Sequence, residues 1–453
     1  MFGRKQIFTD ESRITRDNVL EVLRCSLVTH EQNRADIQKL WNIYRSKSDI
    51  LSKTKEVREN INHKIVENRA YEIVSFHRGY CFGEPIQYIR RGDDESLTEE
   101  INSLNSYMFD ADKEACDDEL AEWFYVCGTA YRMVMPGEDE PFTLYTLDPR
   151  YAFVVYSSAI GHKPMMGVKY ICKKNGEIVY SCYTNDRYFE INGDRITEKP
   201  HILDAVNIIE YPANNARLGV FEIVVPLLNA IDEVQSNRLD DIEAFVNSFM
   251  LLVGAQMSEE LVEQLNAWKM LCLPEGSDAK YLSASLDQMG IQTLKDDLYQ
   301  SILTICGVPN RNGGSSTSDT GTAVQLRDGW ESAQARAKST ELIFKRSERR
   351  FLKLVLRILK DTVGTRLEVH NVDIKFARRY TDNLNNKVQA LQMLLDAGVH
   401  PEVAFATPGI WNDPVDVYIQ SKPYLVKWEV DPIEEEQTPI MDAEEDRVDA
   451  NTV

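Results

Sequence analysis

The residues best placed to do chemistry lie in one stretch near the middle of the chain, GVPNRNGGSSTSDTGTAVQLRDGWESAQARAKSTELIFKRSERR, from Gly307 to Arg350. Ten of the twelve residues from Arg311 to Thr322 are Gly, Ser, Thr or Asn, and a basic helical pattern follows. Such a loop could cradle phosphate, join two domains, or touch a passing polymer. A phosphate-binding loop needs G-x-x-x-x-G-K-[ST] after a strand, because the Lys and the hydroxyl hold phosphate and magnesium. Here Ser318 and Asp319 stand five residues after Gly313 and Gly314, and the next Lys is Lys338. The loop also follows a helical pattern, so that chemistry is excluded. A flexible linker remains open, but a long polar loop between two helices with apolar stripes is more often functional.

Other candidate chemistry is thinner. Adjacent acids occur at Asp93/Asp94, Asp117/Asp118, Asp240/Asp241 and Asp296/Asp297. General acid–base or metal work needs carboxylates converging in a dry pocket, and in so acidic a chain such pairs read as solvated helix faces. Seven histidines are dispersed, with no H-E-x-x-H, and eight cysteines show no C-x-x-C pair. Neither a zinc site nor a disulfide framework is expected. The sequence offers no catalytic constellation, cofactor motif or metal-ligand set, and a non-enzyme is expected.

The basic helix is more informative. Nine Lys and Arg lie from Arg336 to Lys360, against Glu341 and Glu348. Lys345, Arg349, Lys353 and Arg357 step by four and form one stripe; Leu342, Ile343, Leu352, Val355, Leu356 and Leu359 form the apolar side. The stripe could pair with acidic neighbours of this chain or of another subunit, or face duplex phosphates. The chain's net charge of −21 favours the first.

Around these residues, 453 positions allow roughly three domains, and 43% apolar with 9% aromatic residues supports real cores. The longest apolar stretch, FMLLVGA from Phe249, is too short to span a bilayer, so a soluble protein is expected. Residues 14–60, 65–80, Leu97–Tyr107 and Cys116–Val126 read as helices, with IQYIR as a short strand. From Ala130 the period changes to short β-rich runs separated by turns, with KKNGEIVYS as the strongest hairpin signal. That block predicts an antiparallel sheet. Phe221–Ser248 predicts a helical rod of about 40 Å. A small αβ insert follows, then a helix from Leu286 to Cys306, the loop, a helix from Leu326 to Thr362, a strand in RLEVHNVDIKFARRY, and helices at Thr381–Ala397 and Pro401–Ala406. The tail after Pro432 is acidic and poor in aromatics, the composition of a disordered segment.

Several stretches in order resemble the portal proteins of tailed double-stranded-DNA bacteriophages, of the type found in long-tailed phages of Gram-positive hosts. NHKIVENRAYEIVSFHRGYCFGEPIQY (Asn62–Tyr88) is similar to the family's wing segment, and LDPRYAFVVYSS (Leu147–Ser158) to its sheet entry. The most specific stretch is NIIEYPANNARLGVFEIVVPLLNAIDEVQSNRLDDIEAFVNSFMLLVG (Asn207–Gly254). It resembles the family's E-Y-x-N-N…G-x-F-E…L-I-D-A…S…D motif leading into the first stem helix. AGVHPEVAFATPGIWNDPVDVY departs from the family's crown wording.

The resemblance implies an α+β portal fold: a wing of helices and antiparallel sheet over residues 1–220, a stem helix over 221–248 and a small αβ clip over 249–285. A second stem helix over 286–308, a tunnel loop over 309–325, a long wing helix and strand over 326–380, a helical crown over 381–431 and an acidic tail over 432–453 complete it. It implies a closed ring, typically of twelve subunits, at one vertex of the phage head, assembled in the host cytoplasm and kept in the virion. Double-stranded DNA would be packaged, retained and ejected through its tunnel. Implied partners are the large terminase and head-completion (adaptor) proteins at the clip, and major capsid and scaffolding proteins at the wing, with no membrane and no cofactor. On this reading Arg311, Asn312, Ser315, Ser316, Thr317, Ser318 and Lys295 line the channel. Trp268 and Lys269 sit on the docking surface of the clip, and Lys345, Arg349, Lys353 and Arg357 lie between subunits. The alternative is another oligomeric phage structural protein without a DNA channel.

Overall fold

The structure, a computed structural model, describes residues 3–56, 59–92, 94–246, 249–253, 276, 278–282, 288–310, 329–377, 384–411 and 414–425. The chain divides into two units, Met1–Arg379 and Tyr380–Val453.

In the first unit, helix α1 (Val19–Tyr44) serves two cores with one apolar stripe. Val19, Val22 and Leu23 pack under a sheet, whereas Ile37, Leu40, Ile43 and Tyr44 join a helical core. The sequence pattern carries this helix to residue 60, but it ends at Tyr44. There Ser46 turns to a φ of 62° and the Asn68 amide donates to the Tyr44 carbonyl at 2.7 Å, occupying an orphan acceptor of the last turn. Asn68 also caps α2 (Arg69–Phe82), its Oδ1 accepting from the Tyr71 amide at 3.0 Å. Helices α3 (Thr98–Asp110) and α4 (Lys113–Cys127) follow, with Gly128 ending α4 in the left-handed region.

The β-rich block is two sheets rather than one. The strands up to this point are β1 (Ile7–Thr9), β2 (Ile86–Arg90), β3 (Thr129–Pro136), β4 (Phe142–Leu147), β5 (Ala152–Ser157), β6 (Pro164–Cys172), β7 (Ile178–Tyr183), β8 (Arg187–Asn192), β9 (Arg195–Pro200) and β10 (Ile208–Pro212), of which β2 lies outside the block. Among the described residues, β1-β5-β6-β7-β8-β9 form one sheet and β10-β3-β4 another. All neighbours are antiparallel except β1, which lies parallel to β5. The Asn175-Gly176 signal is the β6–β7 turn, with Gly176 at φ +82°.

Alternation explains the split. On β3, Ala130 and Val134 face the helical core while Tyr131 and Met133 face the sheet core. On β10, Ile209 and Tyr211 face the first and Ile208 the second. Both faces of the smaller sheet are therefore buried, one by helices and one by the larger sheet, as period-two geometry requires.

Next come α5 (Val225–Val246), β11 (Phe249–Val253), β12 (Asp278–Leu282), α6 (Gln288–Cys306) and α7 (Trp330–Thr362). The predicted strand after α7 is a 3-10 turn, Val369–Asn371, and then β13 (Val372–Phe376), which pairs antiparallel with β2. Phe344, Phe351, Leu352, Val355 and Leu359 of α7 are buried in the helical core, each side chain worth roughly 1.5–3 kcal/mol.

The second unit holds α8 (Leu384–Asp396), α9 (Pro401–Ala406) and α10 (Pro414–Ser421), the last not expected from sequence. Leu395, Ala404 and Phe405 form its small core, with Phe405 stacked on Trp411 at 5.1 Å.

Candidate functional site

Helices α5 and α6 lie side by side, and α5 runs into β11, which pairs antiparallel with β12 in the register Phe249↔Leu282 to Val253↔Asp278. Near their bases Leu228, Ile231, Ile302, Leu303 and Cys306 are buried. Farther along, polar bridges take over: the Arg238 guanidinium donates to Gln288 Oε1 at 2.7 Å and to Gln292 Oε1 at 2.9 Å. Leu239, Ile242, Met289, Leu294 and Ile305 remain exposed, Met289 at 84%. These apolar side chains stay open to solvent among the described residues; on α6, Leu294 and Ile305 share a side and Met289 points about 140° from Leu294.

The root of this helix pair is built by the motif quoted above. Asp232, Ser236 and Asp240 stand four apart on α5 and are all buried. Asp240 Oδ1 accepts from the His63 amide at 2.7 Å, Ser236 Oγ from Ile65 at 2.9 Å and Asp232 Oδ1 from Glu67 at 2.7 Å. Alternate backbone amides of residues 63–67 are thus satisfied by a ladder of side chains on a helix. This is why α2 starts after the predicted Ile65. Burial raises the Asp232 carboxyl above its usual range; at Asp240 the opposing burial effect is overcome by the His63 amide and Lys55.

One turn before α5, Glu222 is buried and accepts from Gly219 N and Gly3 N, both at 2.9 Å, and from Arg4. Asn214 closes the preceding loop, accepting from Leu218 N at 3.0 Å and donating to Leu218 O at 2.9 Å. The N-terminal arm and the approach to α5 therefore meet at one buried acid, and Arg4 also donates to the Cys127 carbonyl at the end of α4 at 3.3 Å.

The far end of α6 is fixed as well. Val308 N donates to Leu303 O at 2.9 Å across Gly307, which has φ +69°, a Schellman-type stop. His77 Nε2 lies 2.9 Å from the Cys306 carbonyl, and burial pushes its pKa down to about 4. Arg336 of α7 packs over Gly307, and Gly329, at φ +85°, precedes α7. The two helix ends that flank the polar loop are thus glycine-terminated.

Helix α7 has two opposite polar faces. Inward, Glu348 is 0% exposed and accepts from Tyr88 Oη at 2.5 Å and Tyr211 Oη at 2.7 Å, with Lys113 Nζ at 3.0 Å and Arg132 at 3.5 Å. Lys113 and Arg132 also bind Asp117. Outward, Arg349, Lys353 and Arg357 are exposed, whereas Lys345 is half-buried, 5.7 Å from the Phe376 ring, and burial lowers its pKa. Arg357 donates to the carbonyls of Leu203 and Asp204 at 2.7 and 2.8 Å.

Of the residues singled out from sequence, Arg311, Asn312, Ser315, Ser316, Thr317, Ser318, Trp268 and Lys269 lie outside the described residues. Lys295 is on α6 and pairs with Glu67 at 2.9 Å, both 17% exposed. Sequence reasoning missed the two buried acid networks. It read Asp117/Asp118 and Asp240/Asp241 as solvated pairs, yet the first member of each turns inward, because neighbours on a helix point about 100° apart. The four-residue repeat Asp232, Ser236, Asp240 along an apolar face was the available signal.

No curated protein matches the chain by sequence. Among solved structures, a chain of the neck of an empty gene transfer agent particle, computed with C6 symmetry, is 12% identical with a TM-score of 0.44, covering 79% of this chain and 90% of that one. A chain from the virion of a native gene transfer agent particle is 11% identical with a TM-score of 0.41, covering 79% and 89%. Residues 27–406, well over half of the chain, match the phage portal proteins described as SPP1 Gp6-like, and the chain belongs to that family.

Proposed function

We propose that this chain forms the portal ring of a tailed phage, a non-enzymatic assembly at one vertex of the head through which double-stranded DNA is packaged, held and released. The observation that carries the reading is the α5–α6 pair, anchored at its root by buried acids yet exposing Leu239, Ile242, Met289 and Leu294 along its length. Exposed apolar surface of this kind is covered when copies stand side by side, and head-to-tail contacts that close by rotation give a ring, here of about twelve copies by the family resemblance. The helix pair is the proposed stem, residues 249–285 the clip, 309–325 the tunnel loop and 381–431 the crown. Acidity suits a channel, since many Lys and Arg contacts to phosphate would brake a sliding duplex. Arg311, Asn312, Ser315, Ser316, Thr317 and Ser318 supply polar, mostly neutral contacts. Lys295, neutralised by Glu67, contributes wall rather than a free positive ring. Lys345, Arg349, Lys353 and Arg357 face an acidic surface of the next copy. Large terminase and then head-completion proteins dock on the clip, and capsid and scaffolding proteins meet the wing.

Electron microscopy of the purified protein tests the reading: closed rings with an axial hole wide enough for duplex DNA are expected, and a monomer with no ring-forming tendency overturns it. Deleting Asn312–Thr320 is expected to leave rings intact while DNA packaging or retention fails; full packaging and retention by such rings would remove the loop's role. Rings carrying Trp268→Ala are expected to assemble but to bind terminase or adaptor more weakly, and unchanged binding would take Trp268 out of the docking surface.

A further inference from the structure

The outer face of α7 is a ridge of exposed, mostly unpaired positive charge. Between Arg346 and Lys360 the exposed side chains include Arg346, Arg349, Arg350, Lys353, Arg357 and Lys360. The acid that sequence sets against them, Glu348, is turned into the core. Among the described residues, Arg357 alone of the six makes an ion pair, with Asp204 at 3.4 Å. Cavities flank the ridge on both sides. One, of about 650 Å³, is also lined by Arg91 and His370 with Glu368 and Asp373; the other, of about 310 Å³, by Lys163 with Asp204 and Glu210. Six like charges along about 21 Å of helix repel one another. A surface of this kind in a chain of net charge −21 is complementary to an acidic segment.

The chain carries such a segment in residues 432–453, PIEEEQTPIMDAEEDRVDANTV, with eight acids against Arg447. Its two acid clusters, Glu434–Glu436 and Asp442–Asp446, are centred nine residues apart. In extended chain that is about 30 Å, comparable with the ridge. We propose that the acidic C-terminal segment of an adjacent copy docks along the basic ridge of α7, between the two cavities. The proposal rests on the ring reading for the adjacent copy, and it names the acidic surface that the ridge meets.

The test uses rings of the chain ended after Asp431 and a fluorescent peptide of residues 432–453. Saturable binding is expected, about tenfold weaker when salt is raised from low to several-fold physiological strength. It should be lost in R349E/K353E rings and kept in K173E/K174E rings, which reverse charges on the β6–β7 turn. Full-length chains bearing a photo-crosslinker at Lys353, mixed with isotope-labelled chains before assembly, should give adducts between labelled and unlabelled chains at residues 432–453. Rings that bind no peptide overturn the docking and leave the ring reading standing. Adducts confined to one chain overturn the adjacent copy as the source. A protein that is monomeric by microscopy yet binds the peptide overturns the ring reading and, with it, the inter-copy form of this contact.

Discussion

Glu348→Ala is expected to destabilise the first unit by about 3–5 kcal/mol, the usual cost of removing one partner from a buried ion-pair set. Lys113, Arg132, Asp117 and Glu348 are buried together with balanced charge, and Tyr88 and Tyr211 hold the remaining lone pairs of Glu348. Deleting the carboxylate leaves an excess positive charge in the core and two tyrosine hydroxyls without their acceptor. The loss also acts on position: Tyr88 is on β2, Lys113 and Asp117 on α4, Arg132 on β3 and Tyr211 on β10, so Glu348 fixes the rotation of α7 against four elements. Glu348→Gln, which keeps shape but not charge, should fall between the parent and the alanine variant. Urea unfolding followed by fluorescence reads the effect, and a change within about 0.5 kcal/mol, the size of an ordinary surface substitution, would refute it.

The same acid gives the pH dependence a sign. Burial alone would raise its pKa, but the Lys113 and Arg132 charges and the two tyrosine hydroxyls outweigh it and hold the group below its ordinary 4.5. A folded-state pKa below the unfolded one means that the contribution is complete above about pH 4.5 and is lost as pH falls below it. In Glu348→Gln that part of the acid sensitivity should be absent.

The period of the sequence carried most of the helices and the meander β5–β9, because local patterning decides which face is apolar. It could not show that α1 stops at Tyr44, since the side chain that meets its last turn, Asn68, comes from beyond a long connection. Nor could it divide β3 and β10 from the larger sheet: both strands are buried on two faces, and a run apolar on both sides carries no preference for either. At the candidate site the basic stripe was legible as a stripe, but its charge was not, because counting Glu348 as an offset ignores the turn of about 100° per residue that carries its side chain off the exposed face and into the core. The root of α5 was legible as a motif without a mechanism. Its acids accept from backbone amides about 170 positions away in sequence, and no local pattern encodes that pairing.

Gly128→Ala, where the end of α4 meets the loop leading into α5, is expected to cost roughly 2–5 kcal/mol, combining about 1–2 kcal/mol for a side chain in the left-handed region with about 1–3 kcal/mol for overpacking. Gly128 has φ +73°, and a Cβ there would lie 2.3 Å from Arg217 O and 2.5 Å from Leu218 C. Those atoms are backbone and do not yield easily. Arg217 is tied to Glu210 at 2.6 Å and Leu218 to Asn214 on both its amide and its carbonyl. The end of α4 and the loop before α5 also exchange backbone bonds, Ala213 to Gly128 at 3.0 Å and Val220 to Tyr125 at 2.8 Å. Two comparators separate the contributions. Gly219→Ala, whose Cβ would meet Val126 O at 2.3 Å, should show the packing cost. Gly176→Ala, at φ +82° with open space around it, should show the conformational cost alone. If Gly128→Ala is no worse than Gly176→Ala in urea unfolding, the close approach is not what sets the root of α5, and the Glu222 cluster would have to carry that placement by itself.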